Sequence, residues 1–490
     1  MRAGRRRAAA ALSLLALAAC ASPVRTTELG QIDQRAGYRY ATLEAKAPKT
    51  IDKAAVVLTF SGGGTRAAAL ADGVVQAMAA TPVPTPGGSV PLASQIDLVS
   101  SVSGGSVTAA YLAMDGTAGL AALERDFLYG DVMKALITRT LLDPLQLLQP
   151  RIDILESYLD ERVFHGRTYQ DLIDSQTPGP QRRPYVVLNA ADMATGSVFS
   201  FNQDQFDLIC ADLARLKIAD AVSASAAFPV ALSALTLRNR APCAAQSQAA
   251  AATDDGSGWQ PGDGGPEPVR IANDRAVETR LGVDYPAAQN LARFRRGTVS
   301  LSYLNRDGRQ QYIQLLDGGI ADNLGLTLPL ALLNGQGEQP SFLSWANSGK
   351  ADKLLLVVVN ARGEAGNSFG TQARPPGLTD TLLTTVGTPI DATSFQLLGR
   401  LDSAIGAPFK QKSVVMVGFD FIADRGCRAH FQTMATSWTL SHADVADLIA
   451  LGKAMVLQSP SYAAIVERLG GSVPPAHPTV EEICGPYRKT

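Results

Sequence analysis

Residues 54–66 read AAVVLTFSGGGTR and decide the fold, because seven apolar or β-branched residues run directly into a glycine turn. A short, continuous apolar run that ends at a turn is typical of a strand buried on both faces. Residues 67–80 then carry apolar side chains at helical spacing and stop before Pro82. Strand, glycine loop and helix form half of a βαβ unit and indicate an α/β fold.

The same pattern occurs a second time along the chain. Residues 96–99 (IDLV) lead into residues 101–106 (SVSGGS), and a helix of small residues follows from about 107 to 114. Two such units predict a mostly parallel central sheet. Further strands are predicted at residues 184–188, 198–201 and 354–359, and a hairpin is predicted from residues 299–304 and 312–316.

The composition narrows the class of protein. The 490 residues are 46 % hydrophobic and 18 % charged, which suits a globular protein with a sizeable core. A formal net charge of -1 gives none of the basic excess that binds nucleic-acid phosphates, so we expect no nucleic-acid partner. The length would allow two or three domains, and one large domain with insertions stays open.

The N-terminus has the pattern of an export signal, because four arginines precede an apolar run over residues 8–19 that is too short to span a bilayer. The run ends in Leu17-Ala18-Ala19-Cys20, which resembles the lipobox of bacterial lipoproteins. We therefore predict a lipoprotein signal peptide over residues 1–20, a lipid on Cys20, and export to the cell envelope, with Ala21 favouring the outer membrane by analogy. The alternative is an ordinary secretory signal in which Cys20 is incidental.

The remaining chain divides by composition. Residues 21–50 are polar and weakly patterned, and we interpret them as a tether. The folded domain is predicted over residues 51–490, with a helical cap at residues 120–175. Residues 244–268 are rich in Ala, Gln, Asp, Gly and Pro and are predicted to form a flexible insertion outside the core.

Export would leave four cysteines in an oxidising compartment, where three pairings are possible. Chain proximity favours Cys210 with Cys243 and Cys427 with Cys484, but the sequence does not exclude the other two pairings. No C-x-x-C or histidine-rich spacing points to a metal, so these cysteines are interpreted as structural.

Ser103 lies between a predicted strand and a predicted helix, with Ser101 two residues before it and Gly105 two residues after it. A nucleophile elbow has this arrangement, because its sharp turn accepts only small neighbours at those two positions. Ser101 departs from the glycine of a strict match. On its own, the stretch is equally consistent with an ordinary serine-glycine turn.

Gly62, Gly63 and Gly64 follow a strand and precede a helix, so several backbone N–H groups are left unpaired where the helix dipole adds positive potential. This arrangement fits an oxyanion hole, and Arg66 either braces the loop or adds charge. The stretch also matches the dinucleotide fingerprint G-x-G-x-x-A. That alternative needs an acidic residue after a second strand, whereas residues 82–88 contain none. A Walker loop is excluded because no Gly-Lys-Ser/Thr follows.

Asp317 ends an apolar predicted strand and is followed by two glycines. Asp-Gly is a common turn, but loops at the carboxyl ends of strands in a parallel sheet collect catalytic groups. Ser103 and the glycine loop follow strands in the same way, and we expect the three to converge. A Ser-His-Asp triad would need a histidine after a core strand, and none of His165, His430, His442 and His477 is clearly so placed.

The motifs together resemble those of the patatin-like phospholipases and their relatives, the cytosolic phospholipase A group. Four blocks occur in the family's order: Ser61-Gly62-Gly63-Gly64-Thr65-Arg66, Ser101-Val102-Ser103-Gly104-Gly105-Ser106, Ala224-Ser225-Ala226-Ala227-Phe228-Pro229 and Asp317-Gly318-Gly319-Ile320-Ala321-Asp322-Asn323. The resemblance covers roughly residues 54–330. The third block is interpreted as a tightly packed helix of small residues, with a packing role beside the acyl channel as the alternative.

The resemblance implies a three-layer α/β/α fold and an acyl-ester hydrolase that uses no cofactor. Ser103 would be the nucleophile, Asp317 the base that contacts it directly, and the amides of Gly62, Gly63 and Gly64 the oxyanion hole. The expected substrate is a lipid or phospholipid. The alternatives are a general esterase or thioesterase for non-lipid substrates and an inactive envelope scaffold.

Overall fold

The structure is a computed structural model that describes most of the chain after residue 24. The described ranges are 25–142, 150–244, 299–333, 351–363, 390–399 and 409–488, apart from positions 34, 52, 230–231, 300–301, 306–307, 391–392 and 395 within them. The predicted signal peptide, Cys20 and the predicted insertion from residue 245 onward lie outside the described residues.

Twelve strands are formed by the described residues, and several coincide with the apolar runs of the sequence. They are β1 (Thr27–Glu28), β2 (Lys53–Phe60), β3 (Pro82–Thr85), β4 (Gly88–Pro91), β5 (Leu98–Val102), β6 (Tyr185–Asp192), β7 (Val198–Ser200), β8 (Ala211–Asp212), β9 (Leu235–Arg238), β10 (Tyr312–Asp317), β11 (Ala351–Asn360) and β12 (Gln411–Gly418).

The α-helices are α1 (Tyr40–Lys46), α2 (Gly64–Ala80), α3 (Gly104–Asp115), α4 (Leu120–Leu123), α5 (Val132–Leu142), α6 (Arg151–Leu159), α7 (Tyr169–Asp174), α8 (Gln203–Leu208), α9 (Ile218–Ser225), α10 (Gly319–Asp322), α11 (Thr327–Leu333), α12 (Arg425–Thr433), α13 (His442–Leu457), α14 (Pro460–Arg468) and α15 (Val480–Cys484). Two π-helical turns, Glu124–Leu128 and Asp160–Phe164, extend α4 and α6. The 3₁₀ turns are Leu92–Gln95, Gly116–Gly119, Gly179–Gln181, Leu213–Arg215, Phe419–Phe421 and Gly485–Tyr487.

A mixed central sheet of eight strands organises the domain, in the order β12-β11-β2-β5-β6-β10-β9, with β7 paired to β6. The five strands from β12 to β6 are parallel, and β10, β9 and β7 run antiparallel to their neighbours. Strands β2, β5, β6 and β11 are almost entirely buried, which explains their continuous apolar sequences. With helices flanking the sheet, the predicted α/β/α fold with a mostly parallel sheet is confirmed.

The predicted hairpin from residues 299–304 and 312–316 is wrong. Strand β10 pairs instead with β9, which the sequence analysis did not predict. Residues 302–303 are helical, and the Tyr303 side chain is buried, with its hydroxyl donating to Asp192 at 2.8 Å. Tyr303 also packs edge-on against Phe199, with ring centroids 5.9 Å apart. The apolar residues before β10 therefore serve helical packing and not a strand.

The tether prediction is wrong for residues 25–50. Tyr38 is fully buried in the core, and its hydroxyl accepts a hydrogen bond from the Val186 amide at 3.1 Å. Leu43 on α1 is buried in the same core. Arg25 forms ion pairs with three carboxylates, which belong to Asp153, Glu156 and Asp220. The aromatic residues of this segment, overlooked in a polar stretch, supply the apolar surface that anchors it to the domain.

The two disulfides favoured by chain proximity, Cys210–Cys243 and Cys427–Cys484, are confirmed. Helices α4 to α7 occupy much of residues 120–175, and their role as a cap stays a prediction. In the described part of the chain, no single helix is long and apolar enough to cross a membrane. Helices α13 and α14, bent by 57°, reach that length and composition only as a pair.

Candidate active site

Strand register brings Ser103 and Asp317 to one edge of the sheet. Val102 pairs with Asn189 on β6, and Ala190, the next residue of β6, pairs with Asp317 on β10. The residue after Val102 is therefore level with Asp317. The strand of Asp317 was expected to be parallel to its neighbours. Strand β10 is instead antiparallel to β6, and it reaches the site because it ends at this level.

Ser103 occupies a strained turn between β5 and α3. Its backbone has φ 50° and ψ −124°, a conformation that costs a non-glycine residue roughly 1–3 kcal/mol. Its N–H donates to the hydroxyl of Ser225 at 2.8 Å, which holds the turn in place. A side chain on Gly104 would collide with the backbone of Gly64, and one on Gly105 would lie 2.6 Å from the Ser61 carbonyl oxygen. The elbow therefore needs its small neighbours for steric reasons.

Asp317 is buried against Ser103. Its carboxylate accepts a hydrogen bond from the Gly319 amide at 2.8 Å, and the strand register sets Ser103 level with it. Burial raises the pKa of Asp317 from 3.8 to about 6, although the Gly319 amide and the Ser103 side chain act in the opposite direction. The Asp317 amide donates to the Ala227 carbonyl at 2.9 Å, so the end of α9 fixes the backbone of this loop. A carboxylate so placed can accept the hydroxyl proton of Ser103.

The three glycines after β2 are not equivalent. The Gly62 amide donates to the Asn323 carbonyl at 3.1 Å, which removes Gly62 from the predicted set of oxyanion donors. The amides of Gly63 and Gly64 donate to no residue in the described ranges. The Thr65 amide donates to the Ser437 carbonyl at 2.8 Å. Two adjacent N–H groups thus remain available beside the elbow, where Gly64 touches Gly104.

Arg66 braces this loop. Its guanidinium donates to the Ala361 carbonyl at 2.9 Å, to the Thr436 hydroxyl at 3.1 Å and to the Met434 carbonyl. The side chain is buried without an ion pair to any described carboxylate, and desolvation lowers its pKa to about 10. It therefore stays charged at neutral pH. Of the two roles left open by the sequence, the contacts support the bracing role.

The sequence did not predict a positioning role for Ser225, Asn189 or Asn323. The Ser225 hydroxyl, which accepts from Ser103, donates in turn to the Asn189 carbonyl at 2.6 Å and contacts the Ser106 hydroxyl at 2.9 Å. The Asn189 side chain donates to the Ser100 hydroxyl at 2.9 Å and the Ser101 carbonyl at 3.1 Å. An asparagine inside the apolar strand β6 was a signal that could have been used, because a buried amide needs polar partners.

Asn323 is the third of these residues, and its carbonyl accepts the Gly62 amide. It was quoted in the fourth motif without a role. Its side-chain oxygen would lie 2.5 Å from a side-chain carbon added at Gly62. The loop after Asp317 therefore packs directly on the glycine loop, and the two motifs are joined by backbone contact.

Three of the four histidines have their recorded contacts away from Ser103. His165 lies 4.0 Å from the Asp126 carboxylate, His430 stacks on Tyr487 at 3.7 Å, and His442 packs edge-on against Tyr129. Among the described residues, no group of three or more His, Cys, Asp or Glu side chains is arranged to hold a metal ion. The titratable partner of Ser103 is thus Asp317.

The comparison with protein families agrees with this geometry. The family model described as patatin-like phospholipase matches residues 58–330, which is more than half of the 490 residues and contains the glycine loop, Ser103, Ser225 and Asp317. A search of curated proteins finds no match. The family groups lipid acyl hydrolases. The chain belongs to the patatin-like phospholipase family.

Proposed function

We propose that this protein hydrolyses the acyl esters of membrane lipids, with Ser103 as nucleophile and Asp317 as general base. The observation that carries the proposal is the strand register that sets Ser103 level with Asp317, a buried carboxylate whose pKa is raised to about 6. A base works best when its pKa lies near the working pH, because it is then ionised and still takes up a proton readily. The strained elbow supports the same role for Ser103.

The reaction proceeds in two halves. Asp317 accepts the hydroxyl proton as the Ser103 oxygen attacks the ester carbonyl, and the amides of Gly63 and Gly64 stabilise the resulting oxyanion. When the intermediate collapses, the ester C–O bond breaks, and the leaving alcohol takes the proton back from Asp317. Water then attacks the acyl-enzyme with Asp317 again as base, which releases the fatty acid and restores the Ser103 hydroxyl.

Membrane lipids are proposed as the substrate, with phospholipase A, lysophospholipase and lipase activities within the same chemistry. Lipidation of Cys20 would place the enzyme on the envelope membrane of an exporting bacterium. The two disulfides support export, since such bonds persist in oxidising compartments. A general esterase is the second candidate function. It differs from a lipid hydrolase in having no strong preference for long acyl chains.

The test is hydrolysis by the purified protein of a short p-nitrophenyl ester and of phospholipid vesicles, with products identified by mass spectrometry. Ser103→Ala and Asp317→Asn should each lower kcat by about 10³-fold or more while the variants remain folded. Ser223→Ala is the matched control, because this buried hydroxyl on the same helix as Ser225 makes no hydrogen bond to a described residue. Full activity in either catalytic variant would refute the pair.

Two further measurements separate the alternatives. A fluorophosphonate probe should label the unmodified protein and not Ser103→Ala, whereas an inactive scaffold would not be labelled at all. A strong preference for long acyl chains or for vesicles over dissolved esters is expected of the lipid hydrolase. Equal rates on short soluble esters and lipids would favour the general esterase.

A further inference from the structure

We propose that residues 434–440, here called the C-terminal brace, position the glycine loop for catalysis, and that the Cys427–Cys484 disulfide holds the brace in place. The inference rests on the proposed function, because it concerns the oxyanion hole of that reaction. The brace lies about a hundred residues beyond the end of the family match at residue 330. The brace therefore lies outside the part of the chain that the family model matches.

The brace contacts the glycine loop through backbone atoms. The Ser437 carbonyl accepts the Thr65 amide at 2.8 Å, and a side-chain carbon added at Gly64 would collide with that carbonyl. On its other side, the Gly64 backbone touches Gly104, the residue after the nucleophile. Gly64 is thus enclosed between the elbow and the brace, and no flexible side chain separates the three. A displacement of the brace would move the amides beside Ser103.

Arg66 forms the second attachment. It donates to the Met434 carbonyl and to the Thr436 hydroxyl, and its third acceptor is the Ala361 carbonyl. Hydrogen bonds from a charged donor are stronger than neutral ones, and burial makes their loss costly. The brace thereby satisfies a buried cation whose position also fixes the first turn of α2.

The far end of the brace is attached to the helical region. Trp438 packs edge-on against the buried ring of Phe127, with centroids 5.9 Å apart. The Thr439 hydroxyl accepts the Met133 amide at 3.1 Å and donates to Asp131 at 3.3 Å. The brace is therefore held at both of its ends, by α12 before it and by these contacts after it.

The disulfide controls the end that leads to Arg66. Cys427 lies in the first turn of α12, which ends at Thr433 directly before the brace, and its partner Cys484 ends α15. Phe431 on α12 stacks on Phe419, and the Arg66 guanidinium lies 5.9 Å from the Phe419 ring centroid. A two-electron reduction of the disulfide by a dithiol would remove the covalent link between α12 and α15 and leave the stacking of His430 on Tyr487 to hold them together. Reduction should therefore loosen the brace and the oxyanion amides without touching Ser103 or Asp317.

The chain contains its own control. Cys210–Cys243 is also buried at Cys210, but its neighbours are the N-terminal strand and the β9 side of the sheet: the Leu29 amide donates to the Cys210 carbonyl at 3.0 Å. None of the contacts described for the brace involves this disulfide. Its removal tests the general effect of losing a cross-link.

The experiment compares the full-length variants Cys427→Ala/Cys484→Ala and Cys210→Ala/Cys243→Ala on a p-nitrophenyl ester. We expect the first pair to lower kcat by about tenfold, with KM and the apparent pKa of the pH profile changed little, because only a transition-state interaction is weakened. The control pair should stay within about twofold of the unmodified protein. Equal kcat in all three proteins, or equal losses in both variants, would overturn the inference.

A second readout does not depend on activity. Amide hydrogen exchange of the peptide containing residues 62–66 should accelerate by about tenfold when Cys427–Cys484 is absent and not when Cys210–Cys243 is absent. If exchange is unchanged in both cysteine variants, the inference about the brace is refuted, even if no ester is hydrolysed. A failure of this inference can therefore be distinguished from a failure of the proposed function. If the Cys427→Ala/Cys484→Ala variant fails to fold, Thr436→Val replaces it, because this substitution removes one acceptor of Arg66. We expect smaller changes of kcat and of amide exchange in the same directions. No change in either quantity would contradict the inference.

Discussion

The two halves of the site are held in place by different parts of the chain. Ser103 and Asp317 are positioned by Ser225 and Asn189, all within residues 58–330. The glycine loop is positioned by Asn323 from that region, but also by residues 361 and 434–437 from beyond it. Ser103 and Asp317 are therefore supported from within the matched region, whereas the glycine loop also depends on residues outside it.

Burial shifts the pKa values of Asp317 and Arg66, one in each half of the site, in opposite directions. It raises the pKa of the Asp317 carboxyl to about 6 and lowers the pKa of the Arg66 guanidinium to about 10, because low polarity disfavours the charged form of each. For Asp317 the shift suits the proposed role as a general base. For Arg66 the shift leaves the charge intact at neutral pH, so burial there serves bonding and not proton transfer.

Gly64→Ala should have the largest effect on the oxyanion half. Gly64 has φ +61°, and a side chain would meet the Ser437 carbonyl, so the loop must shift away from the elbow. Losing one oxyanion donor lowers kcat by about 10²–10³-fold in other hydrolases, and we expect a fall of that order. Steady-state kinetics on a soluble ester measure it.

Gly88→Ala is the matched control for that substitution. Gly88 also has a positive φ, of +119°, but no atom of a described residue lies within 4 Å of the added carbon. The Gly88→Ala variant therefore introduces backbone strain at a positive φ without a steric collision. We expect its kcat to equal that of the unmodified protein. An active Gly64→Ala variant would remove the central role assigned to this loop.

Ser225→Ala tests how the nucleophile half is held. The variant leaves the Ser103 amide without its acceptor and the Asn189 carbonyl without its donor, and an unsatisfied buried group costs about 1–3 kcal/mol. We expect kcat to fall about tenfold, with the Ser223→Ala protein as control. If both variants behave alike, the hydrogen bond to Ser103 does not position the nucleophile.

The sequence predicted the loops that carry the proposed reacting groups better than it predicted the residues that support those loops. Strand β2, the elbow at Ser103 and the loop at Asp317 carry local signals, because glycine and small residues are needed there for steric reasons that act over a few positions. The pairing of β10 with β9 is a different matter, since some seventy residues separate the two strands and no turn motif joins them. Periodicity contains no information on such a partner.

The same limit explains the errors at the glycine loop. Three consecutive glycines look alike in sequence, and only the contact with Asn323 distinguishes Gly62 from Gly63 and Gly64. That contact is made by a loop more than 250 residues away along the chain, in the same way that Met434 reaches Arg66. The sequence can predict the local motif, but which amides of the glycine loop are free to donate depends on tertiary contacts.

The pH profile tests the electrostatic part of the comparison. Asp317 must be ionised to accept the proton of Ser103, and its pKa of about 6 lies above the value of 3.8 for a free carboxyl. The value of kcat/KM should therefore be constant above pH 7 and fall about tenfold for each pH unit well below 6. A profile that stays flat down to pH 4.5 would show that this carboxyl is not the base, or that its burial is lost in solution.

Asp72→Asn replaces a buried carboxyl on α2, the helix that follows the glycine loop, and leaves the proposed site residues unchanged. Asp72 lies on α2, two turns after Arg66, and one of its oxygens makes no hydrogen bond to a described residue, while the other accepts from Gln76 at 3.0 Å. Burial, with the nearby Glu124 charge, raises its pKa to about 8.

A carboxyl whose pKa is raised by folding contributes its full stability below the unfolded value, near pH 4, and loses it as the pH rises through the folded value, near 8. Asparagine cannot ionise and keeps the acceptor for Gln76. The variant should thus match the unmodified protein near pH 4 and exceed its free energy of unfolding by roughly 1 kcal/mol or more at pH 9. Denaturant titrations at the two pH values measure the difference. Since Arg66 and the C-terminal brace are unchanged, kcat should be as well; a loss of kcat would mean that the charge state of α2, and not the brace alone, sets the position of the glycine loop.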